Sequence, residues 1–173
     1  MNKNLLYSAL ILAGIIATGG LAFSLGPVPI TFQIFFVIFA GLFLPVSYSY
    51  VPMAIYLFMG AVGLPVFAGF SSGFEHFISP TGGYLLSFPF ASLLISYLHR
   101  NSEDTPLKLF FISLAGLSVV YGLGLFVLTF YTKSFLLSLK LGFIPFILVD
   151  IAKIFVVIFV YERVKKAISI TIT

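Results

Sequence analysis

The sequence predicts an all-α integral membrane protein with six transmembrane helices and a long outer loop between helices 3 and 4. Of its 173 residues, 61% are hydrophobic and only 8% are charged, whereas a soluble domain carries about 25% charged residues. The apolar residues fall into six segments that approach the roughly 20 residues needed to cross a bilayer. A stretch rich in glycine and proline separates the third segment from the fourth. We expect residues 1–173 to form a single membrane-embedded domain.

The six apolar segments follow one another along the whole chain. The first, residues 5–23, begins after Lys3 like a signal peptide, but equally apolar segments follow it, and we interpret it as a retained helix. The second and third, residues 31–44 and 51–62, are short and bounded by prolines. Such segments are tolerated at membrane depth where they are buried in protein or line a cavity. The remaining three segments are residues 83–98, 107–131 and 142–162.

The basic side chains predict the orientation of these segments. With both termini in the cytoplasm, the inner basic residues are Lys3, Arg100, Lys108, Arg163, Lys165 and Lys166. The outer side then carries only Lys133 and Lys140, and Lys153 lies within the membrane. Because cytoplasmic loops carry an excess of Lys and Arg, we expect a multi-pass protein with both termini cytoplasmic. This topology accounts for the net charge of +4 without a nucleic-acid partner.

The outer loop, residues 63–85, is unusually apolar for a solvated connection. It carries Glu75 and His76 but is otherwise rich in aromatic residues, glycine and proline. This composition predicts a packed segment that covers a cavity. Phe67, Phe70 and Tyr84 lie beside glycines that permit close backbone approach, and they are the better candidates for ligand contact. Two further phenylalanines, Phe74 and Phe77, are equally well explained as anchors at the membrane interface.

Asp150 and Lys153 form an acid–base pair inside the last apolar segment. A charge at membrane depth costs from about 3 to more than 10 kcal/mol, so such residues usually face a bundle interior and mark a substrate or ion pathway. Their spacing of three residues places both on one helical face, where each partly neutralises the other. A structural ion pair that joins two helices is the alternative interpretation, and the sequence leaves it open.

The residue inventory excludes several kinds of chemistry. The chain has no cysteine, which excludes disulfides, thiolate metal sites and cysteine nucleophiles. His76 and His99 have no metal-ligand spacing and are interpreted as ordinary loop residues on opposite sides of the membrane. No Walker motif is present, so a different chain must handle ATP. An intramembrane enzyme using Asp150 as a base would need a second catalytic group at the same depth, and we therefore expect no enzymatic activity.

The first segment carries a row of small residues, Ala9, Ala13 and Ala17, spaced four apart on one helical face. Small residues at this spacing let two membrane helices approach closely. The row is compatible with docking of a partner protein and equally with packing inside the six-helix bundle.

Three segments together resemble a known family. GPVPITFQ, GLPVFAGFSSGFEHFISPTGGYLLSFPFA and FIPFILVDIAK are similar, in order and spacing, to the BioY family, the biotin-binding S components of energy-coupling-factor transporters. The similarity runs from about Gly26 to Lys153. One departure is that the family commonly shows Pro-Gly ahead of the last-helix Asp, where this chain has Leu148 and Val149.

The resemblance implies a high-affinity biotin binder in a prokaryotic plasma membrane. It would work with a transmembrane coupling (T) component and two cytoplasmic ATPases, with biotin as transported ligand and no cofactor of its own. The residues that the resemblance assigns to biotin are Asp150, Lys153, Gln33, Tyr84, Phe67, Thr31 and Ser71. The sequence leaves alternatives open for three of them: Gln33 could equally form an interhelical hydrogen bond, and Thr31 and Ser71 could equally cap a helix or close a turn. It assigns the alanine row to the coupling protein. A carrier that works alone, coupled to an ion through the Asp150/Lys153 pair, is the alternative function.

Overall fold

The computed structural model describes residues 2–24 and 28–172, with side chains throughout these ranges except at 23–24 and 169–172. The described residues are mainly helical. The helices are α1 (Lys3–Ala17), α2 (Gln33–Phe43), α3 (Val46–Ser49), α4 (Val51–Ala61), α5 (Gly82–His99), α6 (Pro106–Thr132), α7 (Phe135–Gly142) and α8 (Ile144–Ile172). Strands β1 (Ala22–Ser24) and β2 (Pro29–Thr31) pair antiparallel between α1 and α2. Two 3₁₀ helices, Ala68–Phe70 and Phe74–Ile78, lie in the α4–α5 loop, residues 62–81.

One end of the helical bundle is polar and joins the start of α1 to the ends of several other helices. The Asn2 side chain donates to the Tyr48 hydroxyl at 2.8 Å, which places α3 beside the beginning of α1. Tyr161, in the second half of α8, donates to Asp104 in the α5–α6 loop at 2.9 Å. We call this end the polar end. It carries the six basic residues that the sequence analysis assigned to the inner side.

The opposite end brings together the end of α1, the α4–α5 loop, β2 and the first half of α8. The Gly69 N–H donates to the Gly19 carbonyl at 2.8 Å, so the loop is held against the turn that follows α1. Lys153 of α8 donates to the Thr31 carbonyl of β2 at 2.7 Å. We call this end the cavity end. The chain therefore passes between the two ends along α1, α2, α4, α5, α6 and α8 in turn.

Length and composition single out two of these helices as possible membrane spans. Among the residues searched, α6 and the Ile144–Ile168 part of α8 are long and apolar enough to cross a membrane. Lys3–Ala17, Gln33–Phe43 and Val46–Ala61 are apolar but shorter. The short second and third segments of the sequence analysis thus correspond to short helices.

The first predicted segment was too long. α1 ends at Ala17, and the chain then turns and enters β1, whereas residues 5–23 were expected to form one helix. The turn allows close docking of the α4–α5 loop, because a β-carbon on Gly19 would lie only 2.8 Å from the Val66 carbonyl oxygen. Helix α7 was also not foreseen. Ser134 caps it by accepting from the Leu137 N–H at 3.3 Å.

At the polar end, a cluster of side chains around Asp104 joins α5 and the α5–α6 loop to α8. His99 contacts this carboxylate at 2.6 Å, Tyr161 donates to it, and Lys165 forms an ion pair with it. Partial burial opposes ionisation, but hydrogen bonds from Lys165, His99 and Tyr161 outweigh it and hold the pKa of Asp104 at about 2, below its usual 3.8. His99 is thus the last residue of α5 and takes part in a cluster, rather than being an ordinary loop residue as expected.

Candidate ligand-binding site

A cavity of about 230 Å³ lies at the cavity end of the bundle. Residues of β2, α2, the α4–α5 loop, α5, α6 and α8 line it. Its lining includes all seven residues that the sequence analysis assigned to the ligand: Thr31, Gln33, Phe67, Ser71, Tyr84, Asp150 and Lys153. The structure therefore brings together side chains that are as many as 122 positions apart in the chain.

The Asp150–Lys153 pair is formed and lies in the cavity wall. The Lys153 ammonium donates to one Asp150 carboxylate oxygen at 2.7 Å, and the two residues are only 8% and 5% exposed. The Tyr121 hydroxyl of α6 donates to the second carboxylate oxygen at 2.6 Å. Lys153 also donates to the Thr31 carbonyl at 2.7 Å. The pair thus connects α6, α8 and β2, as its interpretation as a structural ion pair requires, and it also lines the cavity. Its role in a substrate pathway stays a prediction.

Gln33 begins α2 and extends this polar network. Its side-chain amide lies 3.2 Å from the Thr31 hydroxyl and 2.5 Å from the Tyr56 hydroxyl of α4. Gln33 is 3% exposed and Tyr56 is fully buried. The interhelical hydrogen bond that the sequence left open for Gln33 is therefore present, in a residue that also lines the cavity.

The α4–α5 loop packs over the cavity through Phe67. This side chain is 1% exposed, and its ring meets those of Tyr56, His76 and Phe77 edge-on, at centroid distances of 5.2–5.8 Å. Gly60 makes room for it, because a β-carbon there would lie 2.0 Å from Cζ of Phe67. The expectation of a packed, aromatic loop is confirmed at this position.

Phe70 was a wrong candidate for ligand contact. Its side chain is 56% exposed and lies against Gly20, and it is not part of the cavity lining. Phe74 is also exposed, by 64%, and packs on Phe77. Aromatic content alone therefore did not distinguish the side chain that turns inward from those that stay outside.

Two hydroxyls proposed from the sequence are used by the protein's own backbone. The Tyr84 hydroxyl donates to the Gly142 carbonyl at 3.0 Å, and the Ser71 hydroxyl donates to the Ala68 carbonyl at 2.8 Å. Ser71 thus closes a turn, which was its alternative interpretation. Both residues still line the cavity. The Tyr84 hydroxyl holds the end of α7 in place.

Two titratable side chains of the lining, Tyr121 and His76, were not among the site residues predicted from the sequence. Tyr121 lies on α6, 29 residues before Asp150, and no spacing rule connects positions on different helices. His76 was taken as an ordinary loop residue, although its place within the predicted lid was a usable signal. In the described ranges, no three His, Asp or Glu side chains come together as metal ligands.

The alanine row of α1 lies on the outside of the bundle. Ala9, Ala13 and Ala17 are all exposed, whereas Ile11 and Ile15 of the same helix are buried. The row therefore does not pack inside the bundle, which removes one of its two interpretations. The exposed face of α1 is free to contact another helix.

Comparison with known proteins gives a consistent result. The BioY family profile matches residues 2–170. "Biotin transporter BioY" from Thermotoga maritima is 36% identical over 164 residues, covering 95% of this chain and 96% of that protein. "Probable biotin transporter BioY" from Pyrococcus horikoshii is 41% identical over 145 residues, covering 82% and 83% of the respective chains.

One solved structure is similar along almost the whole chain. It is a 2.1 Å crystal structure of the S-component for biotin from an ECF-type ABC transporter. The two structures agree with a TM-score of 0.88 at 30% sequence identity, over 95% of this chain and 91% of the other. The helical architecture described above is therefore that of an S-component. The similarity to this S-component also identifies the chain as a membrane protein, in line with its apolar helices.

The contact between Gly60 and Phe67 yields a prediction about the cavity. Gly60→Ala forces the Phe67 ring to move, and overpacking of this kind costs about 1–3 kcal/mol in free energy of unfolding. Gly122→Ala on α6 is the matched control, because a β-carbon there meets nothing within 4 Å. We expect only Gly60→Ala to lower stability when both variants are unfolded in detergent. Equal stabilities would contradict the assigned role of Gly60.

Proposed function

The chain belongs to the BioY family, and on this premise we propose that it is the biotin-binding S component of an energy-coupling-factor transporter. The observation that carries the proposal is the buried Asp150–Lys153 pair in the wall of a small, mostly apolar cavity. Biotin combines an apolar thioether ring with a ureido group and a carboxylate. A ligand of this kind needs an apolar cavity with a few well-placed polar groups.

The lining residues have complementary roles in this proposal. Asp150 and Lys153 supply an acceptor and a donor for the ureido group, and Gln33 adds an amide with both capacities. Phe67 and Tyr84 present ring faces to the bicycle. Thr31 and Ser71 complete the polar lining as further ligand contacts. The location of all seven side chains in one cavity supports this assignment.

A carrier that works alone is not favoured. In that alternative Asp150 would gain and lose a proton during each cycle. Both of its oxygens instead hold protein partners, Lys153 and Tyr121, at 2.6–2.7 Å. The relatives carry the names of biotin transporters, and the similar structure is a component of a larger transporter. These names also support a transport role rather than an enzymatic one.

A double variant separates ligand binding from a purely structural ion pair. Asp150→Asn or Lys153→Met alone leaves an unpaired buried charge and costs about 3–5 kcal/mol in stability. The double variant removes both charges, so we expect its stability to recover relative to either single variant. Because it lacks the polar pair that meets the ligand, its biotin affinity stays strongly reduced. Isothermal titration with biotin and unfolding in detergent measure the two effects.

Lys140→Met, an exposed substitution on α7, controls for loss of a positive charge and leaves both stability and affinity unchanged. Full recovery of biotin affinity in the double variant would assign the pair to stability alone. Biotin would then contact other residues. Failure of the wild-type protein to bind biotin would contradict the proposed function itself.

In the membrane, the proposal is a plasma-membrane protein with six transmembrane helices, both termini in the cytoplasm and the cavity open to the outside. The α4–α5 loop is then an outer loop. Support comes from the chain's six passes between the two ends and from the basic residues, six of which lie at the polar end and two beyond α6. Cytoplasmic surfaces carry the larger share of Lys and Arg.

Labelling from one side of the membrane tests this orientation. The natural chain has no cysteine, so Asn101→Cys at the polar end and Glu75→Cys in the α4–α5 loop each create a unique exposed thiol. In intact cells an impermeant maleimide should label the Glu75 variant only. Labelling of both thiols, or of the Asn101 variant alone, would contradict the orientation.

The partners in this proposal are a transmembrane T component and two cytoplasmic ATPases that use ATP on behalf of the transporter. Exposed Ala9, Ala13 and Ala17 support docking of the T component on α1. Small residues spaced four apart allow close approach of two membrane helices. Within α1 the inward face is taken by Ile11 and Ile15, so the alanines remain available to a partner.

Ala13→Trp tests this docking surface. A large ring on the exposed face blocks close helix approach without entering the cavity, so biotin binding is retained while co-purification with the T component and ATP-driven uptake are lost. Ser118→Trp, at an exposed position on α6, is the control and keeps uptake. Unchanged uptake by the Ala13 variant would show that the partner docks on a different face. Loss of biotin binding would show that the alanine supports the fold.

A further inference from the structure

The cavity has two polar walls of different character. The first, formed by α8 and β2, contains Asp150, Lys153 and Thr31. The second, which we call the loop wall, is formed by the α4–α5 loop and contains Ser71 and His76. Biotin likewise has two polar ends, a neutral ureido group and an ionised carboxylate. Each polar end of biotin can therefore be matched to one wall of the cavity by its charge.

The first wall is electrically balanced by the protein itself. Asp150 and Lys153 neutralise each other, and Tyr121 donates to the remaining carboxylate oxygen. Besides Tyr121 of α6, the lining contains the titratable Tyr84 of α5. Its hydroxyl donates to the Gly142 backbone carbonyl. A second carboxylate placed beside Asp150 would be repelled in a region of low dielectric constant. The neutral ureido group, with both donors and an acceptor, matches this wall.

The loop wall differs because it contains an imidazole, that of His76, whose nitrogens have no hydrogen-bond partner among the residues that the structure describes. His76 is fixed through its backbone, since its N–H donates to the Gly73 carbonyl at 3.3 Å and its carbonyl accepts from the Ser79 hydroxyl at 2.7 Å. Its ring packs edge-on against Phe67 at a centroid distance of 5.2 Å. No hydrogen bond joins the ring nitrogens to any residue that the structure describes.

The other polar groups of the loop wall are already engaged. The Ser71 hydroxyl donates to the Ala68 carbonyl at 2.8 Å, and the Thr81 hydroxyl lies 2.9 Å from that of Ser79. Glu75, the neighbouring acid, is exposed and is not part of the lining. Among the described residues, His76 is therefore the polar group of this wall that keeps free donor capacity, and an imidazole N–H is a good partner for an anion.

Resting on the proposed function, we propose that His76 binds the carboxylate of biotin, while the ureido group lies against Asp150 and Lys153. The α4–α5 loop, which covers the cavity, then also contacts the carboxylate end of the ligand. His76 becomes a specificity residue that distinguishes the free acid from neutral derivatives extended at the carboxyl group. The edge contact with Phe67 holds the ring at the cavity.

Comparison of biotin with biotinamide tests this assignment, because the amide keeps the ureido group and bicycle but lacks the negative charge. Removal of a charge-assisted hydrogen bond in His76→Leu weakens biotin binding roughly 10- to 100-fold. Biotinamide, which makes only a neutral contact, is weakened by about threefold. The preference of the wild-type protein for the acid is therefore lost. Titrations of both ligands against the purified full chain measure it.

Glu75→Gln is the matched control in the same loop and leaves both affinities unchanged. Equal weakening of both ligands by His76→Leu would overturn the inference, because His76 would then act through loop packing. Unchanged affinities would overturn it as well. If the Leu variant does not fold, His76→Gln replaces the ring with a neutral donor and is judged by the same comparison. Absence of binding by the wild-type protein to either ligand would contradict the proposed function instead.

A second measurement needs no change in the cavity. The chain has two histidines, and His99 lies at the opposite end of the bundle. In protein labelled with ¹⁵N-histidine, His99→Gln assigns the two imidazole signals. Biotin should shift the His76 signal strongly and biotinamide should shift it weakly, while the His99 signal stays in place. An unmoved His76 signal with bound biotin would overturn the inference.

Discussion

The buried ion pair between Asp150 and Lys153 is the interaction on which the cavity depends. Two charges out of water are tolerated only when geometry and further hydrogen bonds compensate for lost hydration. Here Tyr121 and the Thr31 carbonyl provide those bonds, at 2.6 and 2.7 Å. The need to satisfy one acid and one base therefore fixes α6 and β2 relative to α8. The cavity occupies the space that these elements enclose together with α2, α5 and the α4–α5 loop.

Two glycines determine how closely the α4–α5 loop can cover that space. Gly60 allows the Phe67 ring to lie directly against α4, and Gly19 allows the loop backbone to hydrogen-bond to the turn after α1. Both contacts leave no room for a β-carbon. The loop is thus held at the ends of α1 and α4, and Phe67 becomes part of the core although it belongs to a connection between helices.

The sequence predicted what local patterns encode. The three-residue spacing of Asp150 and Lys153 gave their shared face, and long apolar runs gave α5 and α6 to within a residue or two. The end of α1 at Ala17 was missed because the apolar run continues beyond it, although Gly19 and Gly20 follow the helix as a possible stop signal. The contact of Tyr121 with Asp150 was hidden, since it joins two helices whose relative rotation is set by packing. Phe67 and Phe70 also differ in burial because of packing: the way the α4–α5 loop packs on the bundle decides which ring turns inward, and no local pattern encodes it.

The internal hydrogen bonds of the cavity lining have a consequence for release of the ligand. In the described residues, no fully buried side-chain nitrogen or oxygen is left without a partner. A binding site whose polar groups depended on the ligand would pass through a costly intermediate each time the ligand left, because buried unsatisfied groups cost about 1–3 kcal/mol each. The fully buried polar groups of this lining carry their own substitutes for those bonds, and the partly exposed His76 ring is the exception. The empty cavity therefore does not need the ligand to satisfy its buried polar groups, and a carrier that must both capture and surrender its cargo benefits from a stable empty state.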